Sequence, residues 1–164
     1  MSSAGATDPI PVPFAQYSTE VPERFVDYNG HMNDAAYAQV LTDANEVFLD
    51  WLGLSADYRS RTGCAMFTVE MTIRFRAEAK LGEHLTAESV VASHDAKRLR
   101  LSTTVLGPDD VVVAEGETLY LHVDAEGSGR VSAFPEDRVA WLTAVSDAQA
   151  TQGDPTHQPE TSAR

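Results

Sequence analysis

A short polar stretch, residues 25–37, brings together side chains that can do nucleophilic or acid–base chemistry. It places the carboxylate of Asp27, the amide of Asn29 and the imidazole of His31 at alternate positions, with Gly30 among them. Asp, Asn, Gly and His form helices and strands poorly but suit a loop that presents side chains. A carboxylate in such a loop can attack an electrophilic carbon or take a proton from water. The stretch is therefore predicted to be a functional loop.

An amphipathic helix follows the loop directly. Apolar residues recur there at three- and four-residue spacing and predict a helix over 34–52. The predicted apolar face consists of Tyr37, Val40, Leu41, Ala44, Val47, Phe48, Trp51 and Leu52. Asn33 or Asp34 can cap its start, and Gly53 can close its end. Because backbone N–H groups point out of a helix N-terminus, this end can hold a developing oxyanion beside Asp27.

The remainder of the chain has the two-residue period of strands. From residue 65 to 75, apolar residues alternate with polar ones, which predicts a strand with one apolar face. The other predicted elements are strands at 17–26, 84–94, 97–106 and 111–123, a short extension at 130–134, and a helix from 135 to about 145. Short turns favour an antiparallel sheet, and only a sheet can cover the broad apolar face of the helix. The predicted class is α+β, with the long central helix wrapped by a five-stranded antiparallel sheet, the hotdog fold.

Length and charge limit the classes of function. The chain has 164 residues, which suits one domain, and a net charge of −13, which argues against nucleic acids or anionic membranes as partners. The domain is predicted to span 14–145, between a flexible arm at 1–13 and a disordered tail at 146–164. Because Cys64 is the only cysteine and no leader or long apolar run is present, a cytoplasmic location is expected.

Several motifs resemble a known family. Asp27-x-x-Gly30-His31-x-Asn33 followed by Tyr37 resembles the 4-hydroxybenzoyl-CoA thioesterase-like branch of the hotdog superfamily. The triplet Asp27-x-Asn29-x-His31 also resembles the motif of acyl-carrier-protein thioesterases. The likeness covers about residues 17–140. The segments Thr68-Val69-Glu70, Lys97-Arg98-Leu99 and Leu121-His122-Val123-Asp124 are most similar to betainyl-CoA thioesterases, enzymes linked to carnitine breakdown.

The resemblance implies an enzyme that hydrolyses a small acyl-CoA thioester, with betainyl-CoA as a candidate substrate. It implies a homodimer or a dimer of dimers, an active site at the subunit seam, no metal, and no cofactor beyond the coenzyme A of the substrate. It places Asp27 as nucleophile or general base, with Asn29 and His31 in support. The implied substrate contacts are Gly30, Asn33, Asp34 and Thr68. The family usually has Asn at the position of Asp34, so this carboxylate could repel Asp27 or could simply cap the helix.

A basic cluster offers a contact for the phosphates of coenzyme A. Lys97, Arg98 and Arg100 are the densest group of cations in an acidic chain, and could equally be a solvated hairpin end. Arg74 and Arg76 are a second candidate. If the acyl group carries a trimethylammonium, aromatic side chains could cage it, although they are also typical of a core or an interface. The candidates for such a cage are Tyr28, Trp51, Tyr58 and Phe67.

The sequence is also compatible with two other functions and with one other catalytic residue. The motif of hotdog hydratases or dehydratases resembles Asp-x-Asn-Pro-x-His, in which the histidine follows the aspartate by five positions. Here His31 follows Asp27 by four positions, and no proline lies between them. A non-catalytic acyl-CoA-binding protein would be expected to lack the carboxylate of Asp27. Glu46, in the middle of the helix, occupies the region where other hotdog branches carry their catalytic acid, but Asp43 and Asp50 beside it favour a solvated face.

Overall fold

Two long helices pack against one antiparallel sheet, and the first of them is the central one. The structure is a computed structural model that describes residues 9–152, so residues 1–8 of the predicted arm (1–13) and residues 153–164 of the predicted tail (146–164) lie outside the described residues. In chain order the elements are β1 (Phe14–Glu20), α1 (Asp34–Trp51), α2 (Ala56–Thr62), β2 (Cys64–Phe75), β3 (His84–His94), β4 (Arg98–Leu106), β5 (Val112–Asp124), β6 (Arg130–Val131) and α3 (Glu136–Gln152).

The sheet has the strand order β1-β3-β4-β5-β2, and the two-residue β6 pairs with β5. Every pairing is antiparallel. Helix α1 packs on β1, β3 and β4 and buries its apolar side against them. A central helix on a five-stranded antiparallel sheet is the hotdog fold, so the predicted class is confirmed, with β6 as a short addition.

The face that α1 buries differs from the predicted one, because Ala36, Asn45 and Leu49 are buried as well, whereas Val47 is not. Val47 is 36% exposed, whereas Asn45 is 1% exposed and lies between the helix and the sheet. The Asn45 amide donates to Thr118 Oγ1 at 3.1 Å and its oxygen accepts from Thr103 Oγ1 at 2.9 Å. A buried amide is tolerated because both ends are hydrogen-bonded. Hydrophobic periodicity cannot identify such a position, because the partners come from strands far along the chain.

The prediction that β2 keeps one apolar face throughout is wrong. The register of β2 against β5 shifts between Thr68 and Glu70, which makes Val69 the extra residue of a β-bulge. Before the bulge, Thr68 lies opposite the buried Tyr120; after it, Met71 lies opposite the buried Thr118. Because opposite residues share a face, the helix-facing set changes from even to odd positions at the bulge. Phe67, an odd-numbered residue before the bulge, is 47% exposed, and Val69 in the bulge itself is 51% exposed.

Two further element boundaries differ from the prediction. Strand β1 begins earlier, because Phe14 is buried and stacks on Phe48 with ring centroids 4.7 Å apart. It ends at Glu20, and a single 3₁₀ turn over Glu23–Phe25 leads into the polar loop. Helix α3 continues past residue 145, because the buried Gln149 accepts the Val91 N–H at 2.8 Å and holds the helix against β3.

No helix within residues 9–152 combines the length and the apolar character that crossing a membrane would require.

Candidate active site

The polar loop between β1 and α1 is a tight turn closed by its own backbone. The Asp27 N–H donates to the His31 carbonyl at 3.2 Å, and the Gly30 N–H donates to the Asp27 carbonyl at 3.0 Å. Val26 and Met32 form a bridge at the base of the turn. Gly30 has φ +82°, a conformation that side chains with a Cβ disfavour. The glycine of the motif is therefore required by the turn that presents Asp27.

Asn33 joins this turn to the helix. Its Oδ1 accepts the Ala36 N–H at 3.0 Å, as an N-cap does, and its Nδ2 donates to the Phe25 carbonyl at 2.9 Å. Both ends of the amide are thus bound to backbone on either side of the loop. The geometry supports the capping role for Asn33, and through it the loop is held at a fixed angle to α1.

Asp27 is presented with part of its carboxylate open. Its Oδ1 accepts the Asn29 N–H at 2.8 Å, which orients the side chain within the loop. Its Oδ2 has no hydrogen bond to any described residue, and Asp27 itself is half-buried. Tyr28 beside it is 96% exposed. A carboxylate that is oriented by one oxygen and open at the other is suited to attack or to deprotonate a water.

The N-terminus of α1 leaves one backbone donor open beside the loop. The Ala36 N–H is bound by Asn33, and the Ala35 N–H by the Asp34 carboxylate at 2.9 Å. The Asp34 N–H has no acceptor among the described residues. The Asp34 carboxylate therefore caps its own helix, one of the two alternatives that the sequence left open. The open N–H lies where the macrodipole favours negative charge.

A cavity of about 510 Å³ and another of about 350 Å³ lie at opposite ends of α1. The smaller one adjoins the polar loop. Its walls are His31 and Met32 from the loop, Asp34 and Tyr37 from α1, and residues 75–78 at the end of β2. Of residues 75–78 the sequence singled out Arg76, as a second candidate for the coenzyme A phosphates, and it missed the other three because no motif marks them. They are fixed by Tyr37, whose hydroxyl donates to the Ala77 carbonyl at 3.1 Å and accepts the Ala79 N–H at 3.2 Å. Burial raises the pKa of this phenol, so it stays neutral.

His31 lies on the wall of this smaller cavity. Its Nδ1 is 3.4 Å from the Met32 carbonyl, and its Nε2 is 3.6 Å from Glu78 Oε1. A carbonyl only accepts, so the contact with Met32 places the proton on Nδ1. The imidazole thus connects the loop to Glu78 at the end of β2, whereas Asp27 is not among the residues that line the cavity.

The basic cluster is remote from the loop within one subunit. Arg98 of β4 pairs with Leu121 of β5, and Leu121 in turn pairs with Phe67 of β2. Phe67 is eight residues along β2 from Phe75, which borders the cavity beside the loop. At the usual rise per strand residue that separation is roughly 25 Å. The arginines of the cluster also alternate with the buried Leu99, so they face away from α1. The structure does not bring the cluster and Asp27 together in one chain.

Carboxylates already neutralise two cations of the cluster. Arg98 Nε is 2.6 Å from Asp95 Oδ2, and Arg100 Nη1 is 3.4 Å from Glu70 Oε1 and 3.6 Å from Glu117 Oε2. Hydrogen bonds from the Lys97 N–H and from the Arg98 side chain hold the pKa of the Asp95 carboxyl below its usual range. Arg98 and Arg100 nevertheless line a common cavity of about 250 Å³.

The remaining predicted residues lie in the middle of the molecule. Thr68 is at the bulge of β2, across from Tyr120, and does not line the cavity beside the loop. Glu46 is exposed on α1, and its charge acts on Tyr120, whose pKa is raised chiefly by burial. Glu46 is 12 residues after Asp34, so the two are about 18 Å apart along the helix.

His122, in the closing motif of the resemblance, is a structural residue. It is 1% exposed. Its Nδ1 lies 3.0 Å from the Ser132 carbonyl, and its Nε2 lies 2.8 Å from the Tyr58 hydroxyl. Because the carbonyl can only accept, Nδ1 carries the proton and the tyrosine donates to Nε2. His122 thus ties α2 to β5 and to the segment after β6.

A family model described as "Thioesterase-like superfamily" matches residues 21–142, and the chain belongs to this family. Curated relatives and solved structures agree. The chain is 43% identical over 75% of its length to an L-carnitine dehydrogenase/betainyl-CoA thioesterase of Agrobacterium fabrum, of which it covers 25%. It is 32% identical over 80% of its length to a betainyl-CoA thioesterase of Pseudomonas aeruginosa, of which it covers 83%. A putative thioesterase structure from Pseudomonas putida superposes with a TM-score of 0.72 at 29% identity, covering 93% of this chain and 94% of that one.

Proposed function

We propose that the protein hydrolyses a small acyl-CoA thioester to the free acid and coenzyme A, with Asp27 as nucleophile or general base. The observation that carries the proposal is the position of the Asp27 carboxylate, open at Oδ2, in the loop that enters the N-terminus of α1. Family membership and the names of the relatives support the reaction. The chain spans only a quarter of the Agrobacterium relative, so the L-carnitine dehydrogenase activity in that protein's name is not part of the proposal.

The chemistry needs few groups. A thioester carbonyl is electrophilic and a thiolate leaves readily, so a nucleophile and one oxyanion donor are sufficient. Either the Asp27 carboxylate attacks the carbonyl carbon and water hydrolyses the resulting anhydride, or Asp27 takes a proton from the water that attacks. In both routes the carbon–sulfur bond breaks and the thiolate of coenzyme A takes up a proton. The proposed oxyanion donor is the Asp34 N–H, which has no acceptor among the described residues, and the proposed reaction uses no cofactor beyond the coenzyme A of the substrate.

We propose betainyl-CoA as the first substrate to test, because curated relatives carry that name. A screen with a thiol-detecting reagent should show release of coenzyme A from betainyl-CoA faster than from short-chain or aromatic acyl-CoA. Release from none of these thioesters would contradict the proposed reaction. Hydration of an enoyl-CoA without release of the thiol would instead favour the hydratase alternative.

A second copy of the chain is proposed to complete the site. Strand β2 is an edge strand of the sheet, and Phe67 and Val69 are exposed on it. An open edge with apolar side chains favours pairing with another strand. Because the two strands would run antiparallel about a two-fold axis, the Phe75 end of one would lie beside the Cys64 end of the other. In each subunit Arg98 and Phe67 lie at the same height in the sheet, because both pair with Leu121. The partner's Arg98 would then come close to the cavity beside the polar loop.

Charge reversal tests the basic cluster as the coenzyme A site. The double change Arg98→Glu and Arg100→Glu should raise KM about tenfold or more and change kcat little, because the contact is remote from the reacting bond. Steady-state kinetics with betainyl-CoA measure both. Arg130→Glu, a charge reversal of an exposed arginine in β6, is the matched control. An unchanged KM in the double variant would remove the cluster from the site.

Mixed dimers distinguish an active site built from both subunits from an active site contained within a single subunit. Differently tagged chains, one with Asp27→Asn and one with the double arginine change, are co-expressed and the mixed species isolated. If the cluster serves the partner, one of the two sites carries neither change, and about half of the wild-type kcat/KM returns when the substrate is kept well below KM. A kcat/KM no higher than the mean of the two parent variants would contradict the shared site.

A further inference from the structure

We infer that the cavity beside the catalytic loop, formed by Asp34, Tyr37, Phe75 and Glu78, selects acyl groups that carry a quaternary ammonium. The inference rests on the proposed thioester hydrolysis and assigns the residues that choose its substrate. The cavity has about 350 Å³, enough for a small acyl group, and it adjoins His31 of the loop that holds Asp27. Its selectivity follows from the charge and the aromatic surface of its walls.

The walls carry negative charge that no neighbouring cation matches. Asp34 and Glu78 both line the cavity. Among the described residues of its lining, Arg76 is the one Lys or Arg, and its guanidinium is bound to Glu115 through Nε at 2.6 Å and Nη2 at 2.5 Å. Among residues 9–152, the imidazole of His31 is the one basic group within 4 Å of the Glu78 carboxylate, at 3.6 Å. A cationic acyl group would therefore be attracted, and an anionic one repelled.

An aromatic ring stands beside these carboxylates. Phe75 is 55% exposed, and its ring meets Tyr37 edge-on with centroids 5.3 Å apart and an interplanar angle of 77°. The Tyr37 ring is held by the hydrogen bonds of its hydroxyl to Ala77 and Ala79, so the orientation of Phe75 is supported. A quaternary ammonium has no N–H to donate and is recognised by ring faces and by nearby negative charge. Phe75 and Glu78 together offer both.

The aromatic residues suggested by the sequence do not line this cavity: Tyr28, next to Asp27, is 96% exposed and is not part of its walls, and the other three lie elsewhere. Trp51 and Tyr58 line the larger cavity at the far end of α1, about 27 Å from Asp34 along an 18-residue helix. Phe67 lies in the half of β2 before the bulge, away from residues 75–78. A cation site beside Asp27 in the same subunit is thus built from Phe75 and Glu78 instead.

The test compares betainyl-CoA with 3,3-dimethylbutanoyl-CoA, its neutral isostere in which carbon replaces the ammonium nitrogen. The wild-type protein should prefer betainyl-CoA by about tenfold or more in kcat/KM, as expected for a partly exposed cation site. Glu78→Gln keeps the shape and removes the charge, so this preference should fall about tenfold. Phe75→Leu should lower it severalfold. Glu136→Gln, at the exposed start of α3, should leave the preference as it is.

The ratio of the two substrates distinguishes recognition from a structural effect. If Glu78→Gln lowered kcat/KM equally for both esters, Glu78 would act through His31 and the loop, and the inference would be overturned. Equal use of the two esters by the wild-type protein would also overturn it while leaving thioester hydrolysis intact. Release of coenzyme A from neither ester would overturn the proposed function, and the inference with it.

Discussion

Replacing Asp27 with asparagine should lower kcat by about 10²–10⁴-fold, the usual span for loss of a positioned base. Asparagine has the same shape and can still accept the Asn29 N–H, which the Asp27 carboxylate accepts at 2.8 Å. It cannot act as a nucleophile or take a proton at neutral pH. Binding of a non-hydrolysable thioether analogue of the substrate should survive, because the loop keeps its hydrogen bonds. Calorimetric titration of the variant with this analogue, beside the kinetics, measures both quantities.

Glu46→Gln is the matched comparison for this variant. Glu46 is exposed in the middle of α1, away from the cavity beside the loop, so its change should leave turnover nearly normal. His31→Ala should cost less than Asp27→Asn, because the role proposed for His31 is to orient the substrate or the water rather than to react. Near-normal turnover in Asp27→Asn together with loss of turnover in Glu46→Gln would place the catalytic carboxylate on the helix and contradict the proposed site.

Replacing Phe48 with alanine should lower the free energy of unfolding by about 3–5 kcal/mol, the usual cost of removing a buried phenylalanine ring. Phe48 has no exposed surface, and its ring stacks on Phe14 with centroids 4.7 Å apart. The change would leave a cavity between α1 and β1, which the neighbouring elements cannot fill without moving. Urea unfolding followed by circular dichroism measures the difference, provided that the unfolding slope is unchanged.

Val47→Ala is the control, because sequence periodicity placed both residues on the same buried face. Val47 is 36% exposed, so its truncation should cost less than about 1 kcal/mol. Similar losses in the two variants would mean that Val47 is covered in solution, by a second copy of the chain or otherwise. The oligomeric state at micromolar concentration, measured by light scattering, would then identify the cause.

The sequence by itself determined most of the elements and the polar loop that holds Asp27. Helix α1 and strands β3 and β4 begin and end within a residue of their predicted limits, because local periodicity encodes them. Asp27, Gly30 and Asn33 were recognisable for the same reason, since a turn with a left-handed glycine and an N-cap depends on adjacent residues. Each of these features is decided by contacts within about ten positions along the chain.

Tertiary structure alone decided which faces and segments meet. The bulge at Val69 exchanges the two faces of β2, and it exists only in the register of β2 against β5. Asn45 is buried because Thr103 and Thr118, on two different strands, complete its hydrogen bonds. The cavity beside Asp27 depends on Tyr37 holding a segment some 40 residues away, through its hydroxyl. Such contacts leave no periodic trace, because their energy comes from pairing between distant parts of the chain.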